Sequence, residues 1–337
     1  MSGVRRRLVL GAAAALASPL RPARADTNEV RISHGYAIHY LPLMVIRDRN
    51  LLKRHAERLG LGPLTVTWSI LDGGNTINSA VLAGAVDIAG AGAPGFITLW
   101  AKARNIAASA VTGICALGNG ALWLNSNNPA IRSLRDFTAQ DRIAVPGIKT
   151  SFAAVVLQMA VAKEFGMANY DRLDPLTVGI PHPEAYAALV SGKTEITAHF
   201  ASPPFSNQEL THPNIHRVVS TLDLLGPITI DVVFGSKRFA EANPGIIAAF
   251  LAAKDEADES IARDKSAAAE SFVRVSRVKM APDVIRAMLD DPETAFTATP
   301  TGIMTYSDFL SATGQIKNAA ARWSEMFIPQ IGGRPGS

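Results

Sequence analysis

The sequence predicts an α/β protein made of two related βα lobes, and three observations carry that expectation. Its 337 residues suit two domains at roughly 150 residues each. Short segments of period two alternate with segments of helical period, the rhythm of parallel sheets with helices on their faces. A weak internal echo adds to this. Gly84-Ala85-Val86-Asp87-Ile88 and Gly192-Lys193-Thr194-Glu195-Ile196 both place Gly-x-x-acid-Ile where a helix gives way to a strand.

The elements follow in order. Val30 and Ile32 alternate with Arg31 and Ser33, and Leu64, Val66, Trp68 and Ile70 repeat the period, so both segments read as strands. Asp72-Gly73-Gly74-Asn75 interrupts the second, after which Ile77, Ala80, Val81 and Gly84 recur at helical spacing. A third strand begins in residues 86–89, and a third helix covers residues 96–103. In the middle of the chain residues 142–145 read as a strand. Thr150 or Ser151 N-caps a helix that buries Phe152, Val155, Val156 and Met159 and ends at Gly166. Residues 176–180 form another strand, and Pro183 and Glu184 suit the first turn of a helix stopping at Gly192. Residues 196–200 and 215–219 complete this set.

After a strand at residues 229–234 the chain turns mostly helical. Asn243 and Pro244 open a long helix with Ile246, Phe250, Ala257 and Ile261 on one face and Glu256 and Glu259 on the other. The helical tail is expected to pack back on the first lobe. Lobe I then takes residues 26–117 and 222–337, and lobe II residues 118–221, with crossings near residues 118–120 and 224–227.

Charge excludes one class of partner. The whole chain carries a net +4, but Arg5, Arg6, Arg7, Arg21 and Arg24 fall in the first 25 positions, where no acidic residue occurs. Setting them aside leaves 28 basic against 29 acidic side chains. A neutral body offers no polyanion surface, so no nucleic-acid partner is expected. Those arginines precede an apolar run from Leu8 to Leu16, and Ala23-Arg24-Ala25 supplies a small-x-small cleavage site. Residues 1–25 are thus expected to be a removable signal peptide, using the general secretory or the twin-arginine route. The mature protein would begin at Asp26 in the periplasm. Cys115 is the sole cysteine, so no internal disulfide forms, and a buried inert thiol is expected there.

Motifs for chemistry are scarce. Gly90-Ala91-Gly92-Ala93-Pro94-Gly95 matches the dinucleotide fingerprint between a strand and a helix. No Asp or Glu occurs between Asp87 and Asp136, however, so the ribose-binding acid is missing, and Pro94 removes a backbone donor. No nicotinamide or other cofactor is expected. His34, His39, His182 and His199 show no metal-ligand spacing, and neither a G-x-S-x-G elbow nor a Walker sequence is present. A binding protein is the expectation, not an enzyme.

Ligands of open α/β sheets bind beyond strand C-termini, where this chain has small-residue loops. These are Gly35-Tyr36-Ala37, Asp72-Gly73-Gly74-Asn75, Ala93-Pro94 and Lys149-Thr150-Ser151, with Ser202 after the strand ending at Phe200. With His39 they make the candidate ligand set. Glycine lets a backbone approach a ligand, and the helix start at Thr150 and Ser151, beside Lys149, suits an anion.

The sequence resembles the solute-binding proteins of the nitrate/sulfonate/taurine ABC importer family, which includes thiamine-precursor binders. VRISHGYAIHYLPLMVIRDRNLL from Val30, GGNTINSAVLAGAVDIAGAGAP from Gly73 and RIAVPGIKTS from Arg142 carry the likeness, with residues 182–205 and 239–244. It covers nearly the whole mature chain. The resemblance implies a periplasmic-binding-protein fold of the two-crossover type, with two lobes closing on a solute. It places the family's ligand loops on Gly35 and Tyr36, Gly73 to Asn75, Ala93 and Pro94, and Lys149 to Ser151. The family often has Asp-Ala where this chain has Glu195-Ile196.

The expected function is capture of a small anionic or polar solute and its delivery, as a monomer, to an ABC permease in the inner membrane. Tyr36, Tyr40 and Phe200 would let a pyrimidine-type thiamine precursor stack instead. An enzyme on the same fold, of the desulfinase kind, would need a reactive cysteine in the cleft. A sensor subunit is the remaining alternative.

Overall fold

The computed structural model describes residues 27–276, 278–292 and 294–337, and the expected signal segment lies outside them. Eleven strands occur among the described residues. They are β1 (Glu29–His34), β2 (Thr65–Ile70), β3 (Ile88–Gly92), β4 (Val111–Asn119), β5 (Trp123–Ser126), β6 (Ile143–Val145), β7 (Thr177–Gly179), β8 (Ala198–Ala201), β9 (His216–Ser220), β10 (Thr229–Ser236) and β11 (Ala295–Phe296). They form two sheets, one ordered β11-β4-β10-β3-β1-β2 and the other β7-β6-β8-β5-β9.

Without the short edge strand β11, the two orders are the same. Written from its far edge the first sheet runs β2-β1-β3-β10-β4, matching β7-β6-β8-β5-β9 position by position. The first three strands of each are parallel, and the fourth, β10 or β5, is antiparallel to both its neighbours. Each fourth strand is made by chain arriving from the other sheet. β5 follows β4 after three residues, and β10 follows β9. The echo in the sequence falls at equivalent places, since its two copies lead into β3 and β8, the third strands.

The apolar patterns read from the sequence account for the core. Val30 and Ile32 of β1 are fully buried, as are Ile246, Phe250 and Ala257 of the helix Pro244–Arg263. That helix packs on the helix Leu51–Arg58 of the first sheet's side. The helix Lys265–Ser276 lies on Leu41–Asp48, where Arg274 Nη2 meets Asp48 Oδ2 at 2.8 Å. A second seam joins the two halves: Phe152 stacks edge-on against Tyr306, with centroids 5.8 Å apart.

The fingerprint glycines have a packing role. Gly90 and Gly92 belong to β3, and Gly95 lies in the first turn of the helix Ala93–Ala103, with no loop between. A Cβ on Gly92 would stand 3.0 Å from the Phe152 nitrogen, and one on Gly95 2.8 Å from the Thr150 carbonyl oxygen. Gly92 and Gly95 make room for residues 150–152, which approach from the second sheet, while Gly90 makes room for Leu43 and Tyr40. No helix among the described residues is long and apolar enough to cross a membrane.

Candidate ligand site

The two sheets face each other across a cavity of about 40 Å³. That is room for about three water molecules, so the lobes are closed on each other. Ala37, Tyr40, Asp72, Gly73, Gly74, Ile77, Gly92, Ile230 and Asp231 line it from the first sheet's side. Pro146, Ser151, Phe152, Ala153, His182 and Ser202 line it from the second, with Leu122 at the crossing.

Backbone contacts hold the closed arrangement. The Ile38 N–H donates to the Pro203 carbonyl at 2.8 Å, and the His182 N–H donates to Asp72 Oδ2 at 3.2 Å. Gly73 turns the chain out of β2 with φ +84°, a conformation that favours glycine. A Cβ there would lie 2.4 Å from the Pro146 carbonyl oxygen, and one on Gly74 2.8 Å from that of Thr150. Opposite them, Ser151 N-caps the helix Phe152–Phe165, its Oγ accepting from the Ala154 N–H at 3.2 Å. Its hydroxyl hydrogen is left to donate elsewhere.

Carboxylates dominate the electrostatics. Asp231 is buried on β10, and Tyr40 Oη donates to its Oδ1 at 3.1 Å. Burial, aided by the negative charge of Asp72, pushes its pKa up to about 7. His39 Nδ1 stands 3.8 Å from Asp231 Oδ2 without a hydrogen bond, and burial lowers its pKa to about 4. Burial also raises the pKa of Asp72, against the N–H groups of His182 and Gly73 that bind its charged form. Among the described residues no lysine or arginine lines the cavity.

Behind His182 runs a buried polar chain. Its Nδ1 lies 2.8 Å from His199 Nε2, and His199 Nδ1 lies 2.5 Å from Glu209 Oε1. Asn125 Nδ2 donates to Glu209 Oε2 at 2.8 Å. Burial holds the His182 pKa well below the usual imidazole value.

Of the residues expected from the sequence, Ala37, Asp72, Gly73, Gly74, Ser151 and Ser202 meet at the cavity. The others lie around it. Gly35 packs under Tyr40, where a Cβ would come 2.5 Å from the ring. Tyr36 is half-buried, and its pKa is raised by burial and by Glu184 and Asp72. Asn75 is exposed, while Ala93 and Pro94 are buried in the first turn of their helix. Thr150 contributes its backbone to the lobe contact. Lys149 is exposed and points its Nζ to within 3.9 Å of Asp174. Phe200 is fully buried in β8.

Tyr40, which the sequence offered as a stacking residue, lines the cavity, whereas sequence reasoning missed His182 and Asp231. Strand C-termini were searched, whereas the antiparallel β10 brings its start beside Gly92 at the end of β3. The signal for Asp231 was an acid inside the apolar run Ile230-Asp231-Val232-Val233-Phe234. Cys115 is buried on β4, outside the cavity lining, and burial pushes its pKa up to about 12. Among the described residues no group of three or more His, Cys, Asp or Glu is placed to hold a metal ion.

No protein-family model and no curated protein matches the sequence. Solved structures do match in shape. The alkanesulfonate-binding protein SsuA from Xanthomonas axonopodis pv. citri, bound to MOPS, gives a TM-score of 0.67 at 18% identity. The match covers 88% of this chain and 96% of that one. The periplasmic nitrate-binding protein NrtA from Synechocystis PCC 6803 gives 0.63 at 13% identity, over 85% and 80% of the two chains. The desulfurization enzyme DSZB gives 0.56 at 12% identity, over 91% and 98%. The chain has the periplasmic-binding-protein fold.

Proposed function

We propose that this protein is the solute-binding component of an ABC importer, exported to the periplasm, where it captures a small polar solute and delivers it to a permease. The observation that carries this reading is the polar cavity between two lobes whose backbones touch across it. A ligand that contacts both lobes shifts the open–closed equilibrium by its differential affinity for the closed form. The likeness to sulfonate- and nitrate-binding proteins supports the same reading.

The DSZB likeness favours catalysis less than binding. The lone thiol is buried away from the cavity with its pKa raised, so it offers no nucleophile there. Calorimetry with a panel of small sulfonates, nitrate, taurine and amines tests the reading. One-to-one saturable binding, with the ligand recovered unchanged by mass spectrometry, is expected. Recovery of a converted product would replace the transport reading with an enzymatic one.

A further inference from the structure

The charge lining the cavity bears on the class of solute, an inference that rests on the solute-binding reading above. Asp72 and Asp231 both line the cavity, and among the described residues no lysine or arginine does. Asp231 is 4% exposed, and only Tyr40 hydrogen-bonds its side chain. Its second oxygen lies 3.8 Å from a histidine nitrogen that itself has no hydrogen bond.

The polar chain behind His182 places no cationic side chain in the cavity lining. His199 acts on Asp72 from behind, and the Glu209 carboxylate lies against its Nδ1 at 2.5 Å. Asp72 has the His182 and Gly73 N–H groups as partners and the field of His199 behind them, while Asp231, its pKa pushed up to about 7, has no counter-ion. Lys149 is exposed and turned toward Asp174. Glu184 lies close enough to act on both Asp72 and Tyr36, which adds negative charge beside the cavity. A buried carboxylate without a counter-ion is costly, and the cost is offset when a cation arrives.

The anion expected from the sequence has one feature in its favour. The helix start at Ser151, Phe152 and Ala153 lines the cavity, and a helix N-terminus favours negative charge. Two carboxylates that share the same small space, with no lysine or arginine lining it among the described residues, oppose an anion there.

We propose that the solute presents a protonated nitrogen, an ammonium, amidinium or guanidinium group, held between Asp231 and Asp72. The cavity admits only a few heavy atoms in the closed form, so a compact head group fits it. Ser151 and Ser202 supply neutral polar contacts from the second lobe.

Thermal-shift titrations test this with methylammonium, guanidinium, ethanolamine and putrescine against methanesulfonate, nitrate and taurine. At least one cation is expected to raise the melting temperature saturably, with no effect from nitrate or methanesulfonate. Asp231→Asn should weaken that cation at least tenfold. Should Asp231→Asn fail to fold, Asp72→Asn carries the same expectation. An anion that stabilises while every cation is silent overturns the proposal and leaves the solute-binding reading standing. Silence from both classes, or a cation that binds both variants as tightly as the parent, also overturns it.

Discussion

The backbone N–H of His182 donates to Oδ2 of Asp72 across 3.2 Å, joining a helix start of the second sheet to a loop of the first. The bond spans the cleft, and it breaks if the lobes part. Asp72 therefore serves both closure and the polarity of the space that closure encloses.

Gly73 tests the closure itself. An added methyl would meet the Pro146 carbonyl only when the lobes are shut, while φ +84° adds local strain of about 1 kcal/mol. Gly73→Ala should lower solute affinity tenfold or more with only a few degrees lost in melting temperature. Asn75→Ala, at an exposed neighbour, should leave both unchanged. Equal affinity in the two variants would show that the contact is not part of the bound state.

Asp231 makes stability depend on pH. Its folded pKa is about 7 against an ordinary value of 3.8, so the folded protein binds the extra proton between those values. Stability is then full at low pH and lost as pH rises through about 7, by on the order of 4 kcal/mol in total. Tyr40, His39, Asp72 and Tyr306 are the titratable groups facing it, and none carries a positive charge at pH 7. Denaturant melts of Asp231→Asn should be more stable than the parent at pH 8, with the gap closing toward pH 5. A gap that is independent of pH contradicts the assignment.

Glu209 anchors the chain that holds His182. Glu209→Gln turns a carboxylate oxygen into an amide in a fully buried place, opposing either His199 Nδ1 or Asn125 Nδ2. A loss of about 1–3 kcal/mol is expected from urea denaturation. A loss below about 0.5 kcal/mol would mean the chain is not tightly coupled.

Ser151 is a helix cap as well as a cavity residue. Ser151→Ala should lose about 1 kcal/mol of stability through the cap. Ser151→Asp keeps a capping oxygen and should restore stability while adding a third carboxylate beside the cavity. A thermal melt that ranks Asp no better than Ala would contradict the capping role.

Much of this fold was legible in the sequence because its elements obey simple periods. β1 and β2 show period two, and Ser151, Gly166 and Gly192 mark helix ends. β5 and β11 escaped notice: Trp123-Leu124-Asn125-Ser126 is too short to show a period, and β11 has two residues. The expectation of parallel sheets missed the crossing strand in each, β5 and β10, which enter the other sheet antiparallel, and the antiparallel edge strand β11. The loops around Ala37, Asp72–Gly74, Ser151 and Ser202 were readable as small-residue turns. His182 and Asp231 were not, because tertiary packing of distant segments places them: Asp231 meets Tyr40 across 191 residues of chain.

The measurement closest to the central claim is the width of the cleft in solution. Spin labels at Asn75→Cys and Glu184→Cys sit on exposed positions of the two lobes, and the buried Cys115 should stay unlabelled. Electron–electron double resonance on dialysed protein should show a broad distance distribution. Adding the amine that stabilises the parent protein should collapse it to one short distance. A single unchanged distance with and without that ligand would contradict the account, because the lobes would not be closing on a solute.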